Sequence, residues 1–173
     1  RGERLAFAAL AAGVQVAELG RKELEPLSSG SHANAVFTRL GFTPNGDFVL
    51  AGGWGDVTVM WNLATRQQEL RSHNDWFHQV SKDGTRVAVS LERRGCGVRT
   101  LERPIGIRRL RVPTTQHGDT WAAAWHPSGR WLLSGHQIGW VVWDMATGEP
   151  TRLFEGTSRV RVVQFLPDGS AFL

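Results

Sequence analysis

Six histidines and one cysteine are the residues best suited to metal or nucleophilic chemistry, and their spacing supports neither. His73 and His78 flank Asn74-Asp75-Trp76-Phe77, and His126 and His136 flank a hairpin. Neither pair has a third ligand at the spacing of a zinc site. Cys96 stands between two glycines, which is consistent with an exposed thiol, but nothing marks it as a nucleophile. Asp47, Asp83 and Asp168 lie in or beside turn motifs, where a carboxylate stabilises the turn, so they do not read as an acid–base pair. Phosphate-cradling GxxxxGK[ST], dinucleotide GxGxxG and GxSxG patterns are all missing from the sequence. The expectation is a protein with no catalytic residue, no metal and no cofactor.

Arginine is the other chemically active residue. The chain has 173 residues, with 20 Lys and Arg against 16 Asp and Glu, so the net charge is +4 although the pI is about 10.5. The densest stretch holds Arg93, Arg94, Arg99, Arg103, Arg108, Arg109 and Arg111 with one acid, Glu102. It reads either as an anion-facing patch or as charged outer strands that keep a sheet soluble and block edge pairing. The second reading is preferred, and no nucleic-acid partner is expected, because such binders usually gather their charge on one surface.

Composition bounds the class. An apolar fraction of 41% and a charged fraction of 21% argue against disorder, and 19.2 kDa suffices for one domain with a core. A lone cysteine excludes a disulfide framework. No apolar run reaches the roughly 18 residues of a membrane helix, so no membrane partner is expected. At the start, Arg1–Arg4 followed by Leu5-Ala6-Phe7-Ala8-Ala9-Leu10-Ala11-Ala12-Gly13 imitates a signal peptide. The segment runs on into an alternating stretch, Val14 to Leu19, so an ordinary strand pair is the preferred reading. No initiator Met is present, which suggests a fragment or a processed chain. A cytoplasmic location is expected.

The elements around these residues repeat. Phe42-Thr43-Pro44-Asn45-Gly46, Val80-Ser81-Lys82-Asp83-Gly84, Trp125-His126-Pro127-Ser128-Gly129 and Phe165-Leu166-Pro167-Asp168-Gly169 share one pattern. Their glycines, Gly46, Gly84, Gly129 and Gly169, lie 38, 45 and 40 residues apart. The chemistry is that of a hairpin, in which Pro or a polar residue starts the turn and Gly closes it. A second marker keeps step: Trp61-Asn62 with Thr65 follows Gly46, and Trp143-Asp144 with Thr147-Gly148 follows Gly129.

Between the markers the pattern is short strands. Residues 121–125, 131–134, 140–143 and 152–154 read as four strands, as do 37–42, 48–51, 57–61 and 67–70. Four strands in a repeat of about 40 residues select an all-β propeller of four-stranded antiparallel blades over a sandwich.

These residues resemble the WD-repeat β-propeller family. The match rests on Trp143-Asp144 with Thr147-Gly148, its degenerate copy Trp61-Asn62 with Thr65, and the four turns. His32, His73 and His117 sit near where the family places its Gly-His pair. Arg99-Thr100 stands where a second Trp-Asp would fall, Ile138-Gly139 replaces the buried Asp of the later loop, and Asp56 is the one match to that Asp. Of the family's His–Ser–Asp–Trp network, the resemblance leaves Ser134, Trp143 and His117.

The expected organisation is the end of a blade at 1–31, blades at 32–72, 73–112 (divergent) and 113–156, and the start of another at 157–173. This is an incomplete arc of a larger propeller, which in isolation would expose sheet edges and self-associate. Trp61, Trp125 and Trp143 fall on the repeat markers and read as packing between blades. Trp54 lies in a glycine-rich loop, residues 52–56, and reads either as local packing or as a contact residue. The other expected loops are 93–97, 135–139, 72–76 and 116–120. Trp54, Asn74, Asp75, Arg93, Arg94, Asp119 and His136 are the candidate partner-binding side chains. The resemblance implies a non-catalytic scaffold for binding other proteins. Two alternatives are a regulatory segment of a larger signalling enzyme, such as a protein kinase or NTPase, and a propeller hydrolase or sugar-binding protein.

Overall fold

Short apolar runs punctuated by turn residues fold here as strands. The computed structural model describes residues 3–9, 13–20, 23–27, 36–54, 57–91, 95–102, 106–112 and 118–173, and these contain fifteen strands and no helix. Strands β1 (Arg4–Ala9), β2 (Gly13–Glu18) and β3 (Leu24–Pro26) form a three-stranded sheet. Three four-stranded sheets follow: β4 (Val36–Phe42) to β7 (Gln68–His73) through β5 (Phe48–Trp54) and β6 (Val57–Asn62), then β8 (Asp75–Val80) to β11 (Ile107–Leu110) through β9 (Arg86–Leu91) and β10 (Gly95–Thr100). The last sheet contains β12 (Thr120–Trp125), β13 (Trp131–His136), β14 (Trp140–Asp144) and β15 (Glu149–Phe154). Every sheet is a meander in chain order. The chain divides into two compact units, residues 1–77 and 78–173, with the division inside β8.

The apolar stretch after Arg4 is a strand, paired from Arg4↔Glu18 to Ala9↔Gly13. Each of the four repeated turns closes with an N–H donated by its glycine: Gly46 to Thr43, Gly84 to Ser81, Gly129 to His126 and Gly169 to Leu166, at 2.8–2.9 Å. All four glycines have φ between 71° and 77°, where a Cβ would be strained.

The two central strands of the β4–β7 and β12–β15 sheets are covered on both faces, and the last strand of each is not. Residues 49–53 of β5, 57–61 of β6, 132–136 of β13 and 141–144 of β14 are all buried. They read in the sequence as near-continuous apolar runs for that reason. The edge strands β7 and β15 are mostly exposed, and β7 is mostly polar. Trp61 anchors one core with Val14, Val16, Val49 and Val59; Trp143 anchors another with Leu132, Val141, Trp125 and Leu110.

Several expected loops are shorter than the glycines suggest. Gly52, Gly53 and Trp54 belong to β5, Gly95–Gly97 to β10, Gly135 and His136 to β13, Asp75 and Trp76 to β8, and Thr120 to β12. At Gly52 and Gly53 the reason is close approach. A Cβ on Gly52 would lie 2.7 Å from the Phe77 Cβ, and one on Gly53 would run into the Val36 carbonyl and lie 2.6 Å from the Phe37 Cα. Glycine is present because another backbone passes there, and the strand continues through it.

Candidate interaction surface

Repeat register places Trp61 and Trp143 at equivalent points of β6 and β14, each buried to within 1%. Around Trp143 the packing is polar. Its indole N–H donates to Ser134 Oγ at 2.8 Å, and the Ser134 hydroxyl lies 2.8 Å from His136 Nε2. On the other side of the imidazole, Nδ1 faces Thr120 Oγ1 at 3.5 Å. Ser134 and His136 alternate on β13, so both point to the same face as the tryptophan. The imidazole of this network therefore comes from His136, two residues along the same strand. His117, like His32, Gly55 and Asp56, lies outside the described residues.

His136 was expected at the surface; its side chain is fully buried and joined to Ser134. Asp75 was also expected there and is buried. Its carboxylate accepts from Ser72 Oγ at 2.7 Å, and its carbonyl accepts from Thr58 Oγ1 at 3.3 Å, so it closes the one-residue turn between β7 and β8. Asn74 is that turn residue, exposed and at φ 67°, a conformation asparagine adopts more readily than most residues. Asp119 is exposed just before β12. Arg93 and Arg94 lie outside the described residues.

Within residues 1–77, strand direction brings Trp54, Asn74 and Trp76 to one end of β5, β7 and β8. The Trp54 side chain is 58% exposed, and its ring sits 5.4 Å from that of Trp76 at 48°. Exposed Val36 begins β4 at the same end. The result is a small aromatic ledge with an asparagine beside it. It offers apolar area on a rigid strand end, which suits contact with another macromolecule rather than chemistry.

The groups best suited to chemistry are committed to structure. Burial pushes the Cys96 thiol up to about 12, so the side chain expected to be exposed is an inert core residue. Partial burial would raise Asp83, but hydrogen bonds from the Ser81 hydroxyl and from the Thr85 N–H and hydroxyl, with the Arg86 charge, hold it at about 2. Arg130 at 3.0 Å and the Ala146 N–H keep Asp144 below the usual carboxylate range. The Ser170 N–H and hydroxyl do the same for Asp168. Among the described residues no three His, Cys, Asp or Glu side chains converge as metal ligands would. Arg108 of β11 donates to the carbonyls of Met145 and Thr147, so this arginine of the basic stretch is a structural clamp.

The family described as WD domain, G-beta repeat matches residues 109–144. The sequence matches none of the curated proteins. Among solved structures, the β-propeller domain of Cps50 (Swd1) from Myceliophteria thermophila is similar with a TM-score of 0.79 and 19% identity, over 97% of this chain and 57% of that one. Hydrazine synthase from Kuenenia stuttgartiensis is similar with a TM-score of 0.76 and 14% identity, over 99% of this chain and 64% of that one. The chain thus spans about three fifths of the length of each. At these identities the likeness is one of fold. With the repeated turns and the four meander sheets, it makes this chain a run of β-propeller blades, one stretch of which, residues 109–144, matches the WD-domain repeat.

Proposed function

We propose that the chain is a non-catalytic platform that binds other proteins, and that the Trp54–Trp76 ledge is its main contact in residues 1–77. The observation that carries this reading is the 58% exposure of Trp54 at the end of a strand whose preceding five residues are buried. A large rigid aromatic held out from a packed sheet is the kind of residue that dominates protein interfaces. The fold supports the same reading, since propellers built from WD repeats, such as the one matched at residues 109–144, typically serve as interaction platforms. A catalytic role is disfavoured by the commitment of Cys96, Asp83, Asp144 and His136 to the core and turns. No observation favours the regulatory-segment alternative or the hydrolase alternative.

The test is affinity capture with the wild type and Trp54→Ala, each checked for an unchanged melting transition. Loss of an interface hot spot costs about 2 kcal/mol, so captured partners should bind about 30-fold more weakly. Undiminished binding of every partner would remove the ledge from the interface.

A further inference from the structure

Three arginines in residues 78–173 lie over tryptophan rings. Arg86 covers Trp125 at 4.7 Å, Arg130 covers Trp131 at 4.7 Å, and Arg159 covers Trp121 at 4.1 Å. Two of them bind a carboxylate of this chain with a terminal nitrogen: Arg86 Nη2 meets Asp83 at 3.2 Å, and Arg130 Nη2 meets Asp144 at 3.0 Å. Arg159 is arranged differently. Its Nε donates to Gln137 Oε1 at 3.0 Å, the same oxygen that accepts from Trp121 Nε1 at 3.2 Å. Among the described residues no carboxylate lies within ion-pair distance of it, and the side chain is exposed.

The consequence is a fixed, outward-facing donor. Stacking on Trp121 sets the guanidinium plane, and Gln137 takes Nε, which leaves the two terminal nitrogens as a parallel pair of donors. That edge matches the two oxygens of a carboxylate, and its geometry is set before any ligand arrives. Residues 78–173 carry 13 Lys and Arg against 8 Asp and Glu, so the surrounding field also attracts an acidic group.

We infer that Arg159, held by Trp121 and Gln137, captures an aspartate or glutamate side chain of a protein partner. This rests on the platform reading only in assigning the carboxylate to a protein. Arg159 is the binding residue; Trp121 and Gln137 are positioning residues.

The probe is acetyl-hexaglutamate amide, with acetyl-hexaglutamine amide and inorganic phosphate as comparisons, titrated into the 173-residue chain. Binding is followed through the arginine Nε–H NMR signals, with that of Arg159 assigned by its loss in Arg159→Gln. Hexaglutamate should shift the Arg159 signal, and hexaglutamine should not. Arg159→Gln should weaken binding about tenfold, in line with a charge-assisted hydrogen-bond pair. Arg159→Lys keeps the charge without the fork and should recover less than half of that loss. Arg152→Gln removes an equal charge elsewhere in the same unit and should change binding less than twofold. Equal losses in Arg152→Gln and Arg159→Gln would reduce the effect to bulk charge and overturn the inference. So would hexaglutamate binding no better than hexaglutamine, or phosphate shifting Arg159 more strongly than hexaglutamate. The titration needs no natural partner, so a failed Trp54→Ala capture test leaves this result untouched, and the reverse also holds.

Discussion

The β4–β7 and β12–β15 sheets bury a tryptophan at the same repeat position and place different side chains around it. Trp143 is pinned by hydrogen bonds running through Ser134 to His136. In the earlier sheet Ala51 stands five residues after the turn glycine, where Ser134 stands in the later one, and Gly53 stands where His136 does. Phe37 pairs with Gly53 as Thr120 pairs with His136, and its ring meets Trp61 edge-on at 6.0 Å. The volume of an imidazole is thus supplied by a phenyl ring from the neighbouring strand, which can approach because Gly53 has no side chain. Both sheets carry a register shift at the corresponding point, between Phe37 and Arg39 and between Thr120 and Ala122. One blade geometry therefore accepts an imidazole from one strand or a phenyl ring from its neighbour, provided the two strands change together.

The most damaging changes should remove the shared element. Trp61→Ala and Trp143→Ala are each expected to cost about 3–5 kcal/mol, measured by denaturant unfolding. If only one is costly, the two sheets do not share a supporting role for tryptophan. Next is Gly53→Ala, expected to cost about 3 kcal/mol because its Cβ has no space beside Val36 and Phe37. Ser134→Ala converts the later site toward the earlier one and leaves the Trp143 indole and His136 without a shared partner. A loss of about 1–3 kcal/mol is expected, and a neutral result would make the polar network dispensable.

Asp144→Asn sharpens the comparison further, because Asn62 holds the same turn in the earlier sheet, accepting from the N–H groups of Ala64 and Thr65 at 2.9 and 3.1 Å. Asp144 is held below the usual carboxylate range by Arg130, so its ionised form favours the fold. That contribution is present above the ordinary carboxylate value and is lost as pH falls through the depressed one. The stability gap between wild type and Asp144→Asn should be small at neutral pH and close on acidification, read from melting curves between pH 7 and 2. A gap that widened in acid would contradict the assignment.

Much of the fold was legible because the turns repeat. Four Gly-closed turns and two tryptophan markers located strands that match β4–β7 and β12–β15 to within three residues at their ends. What the sequence concealed depends on contacts between segments distant along the chain. Gly52-Gly53-Trp54 looked like a loop because the backbone that requires those glycines, at Val36, Phe37 and Phe77, is not adjacent in sequence. Asp75 and His136 looked like surface residues because polar side chains are usually exposed. Their hydrogen-bond partners, Ser72 and Ser134, lie three and two residues away, and that spacing was the available signal. Arg159 with Trp121 and Gln137 gave no sequence signal, since a stacking contact across 38 residues follows no local period.

The central claim is that partners meet the Trp54 ledge while the repeated tryptophans serve the fold. Its most direct test is a photo-crosslinker placed singly at position 54 and, as a control, at exposed Glu69 on β7. The account predicts partner adducts from position 54 and few or none from position 69. Adducts from position 69 alone, in chains with wild-type melting behaviour, would contradict it.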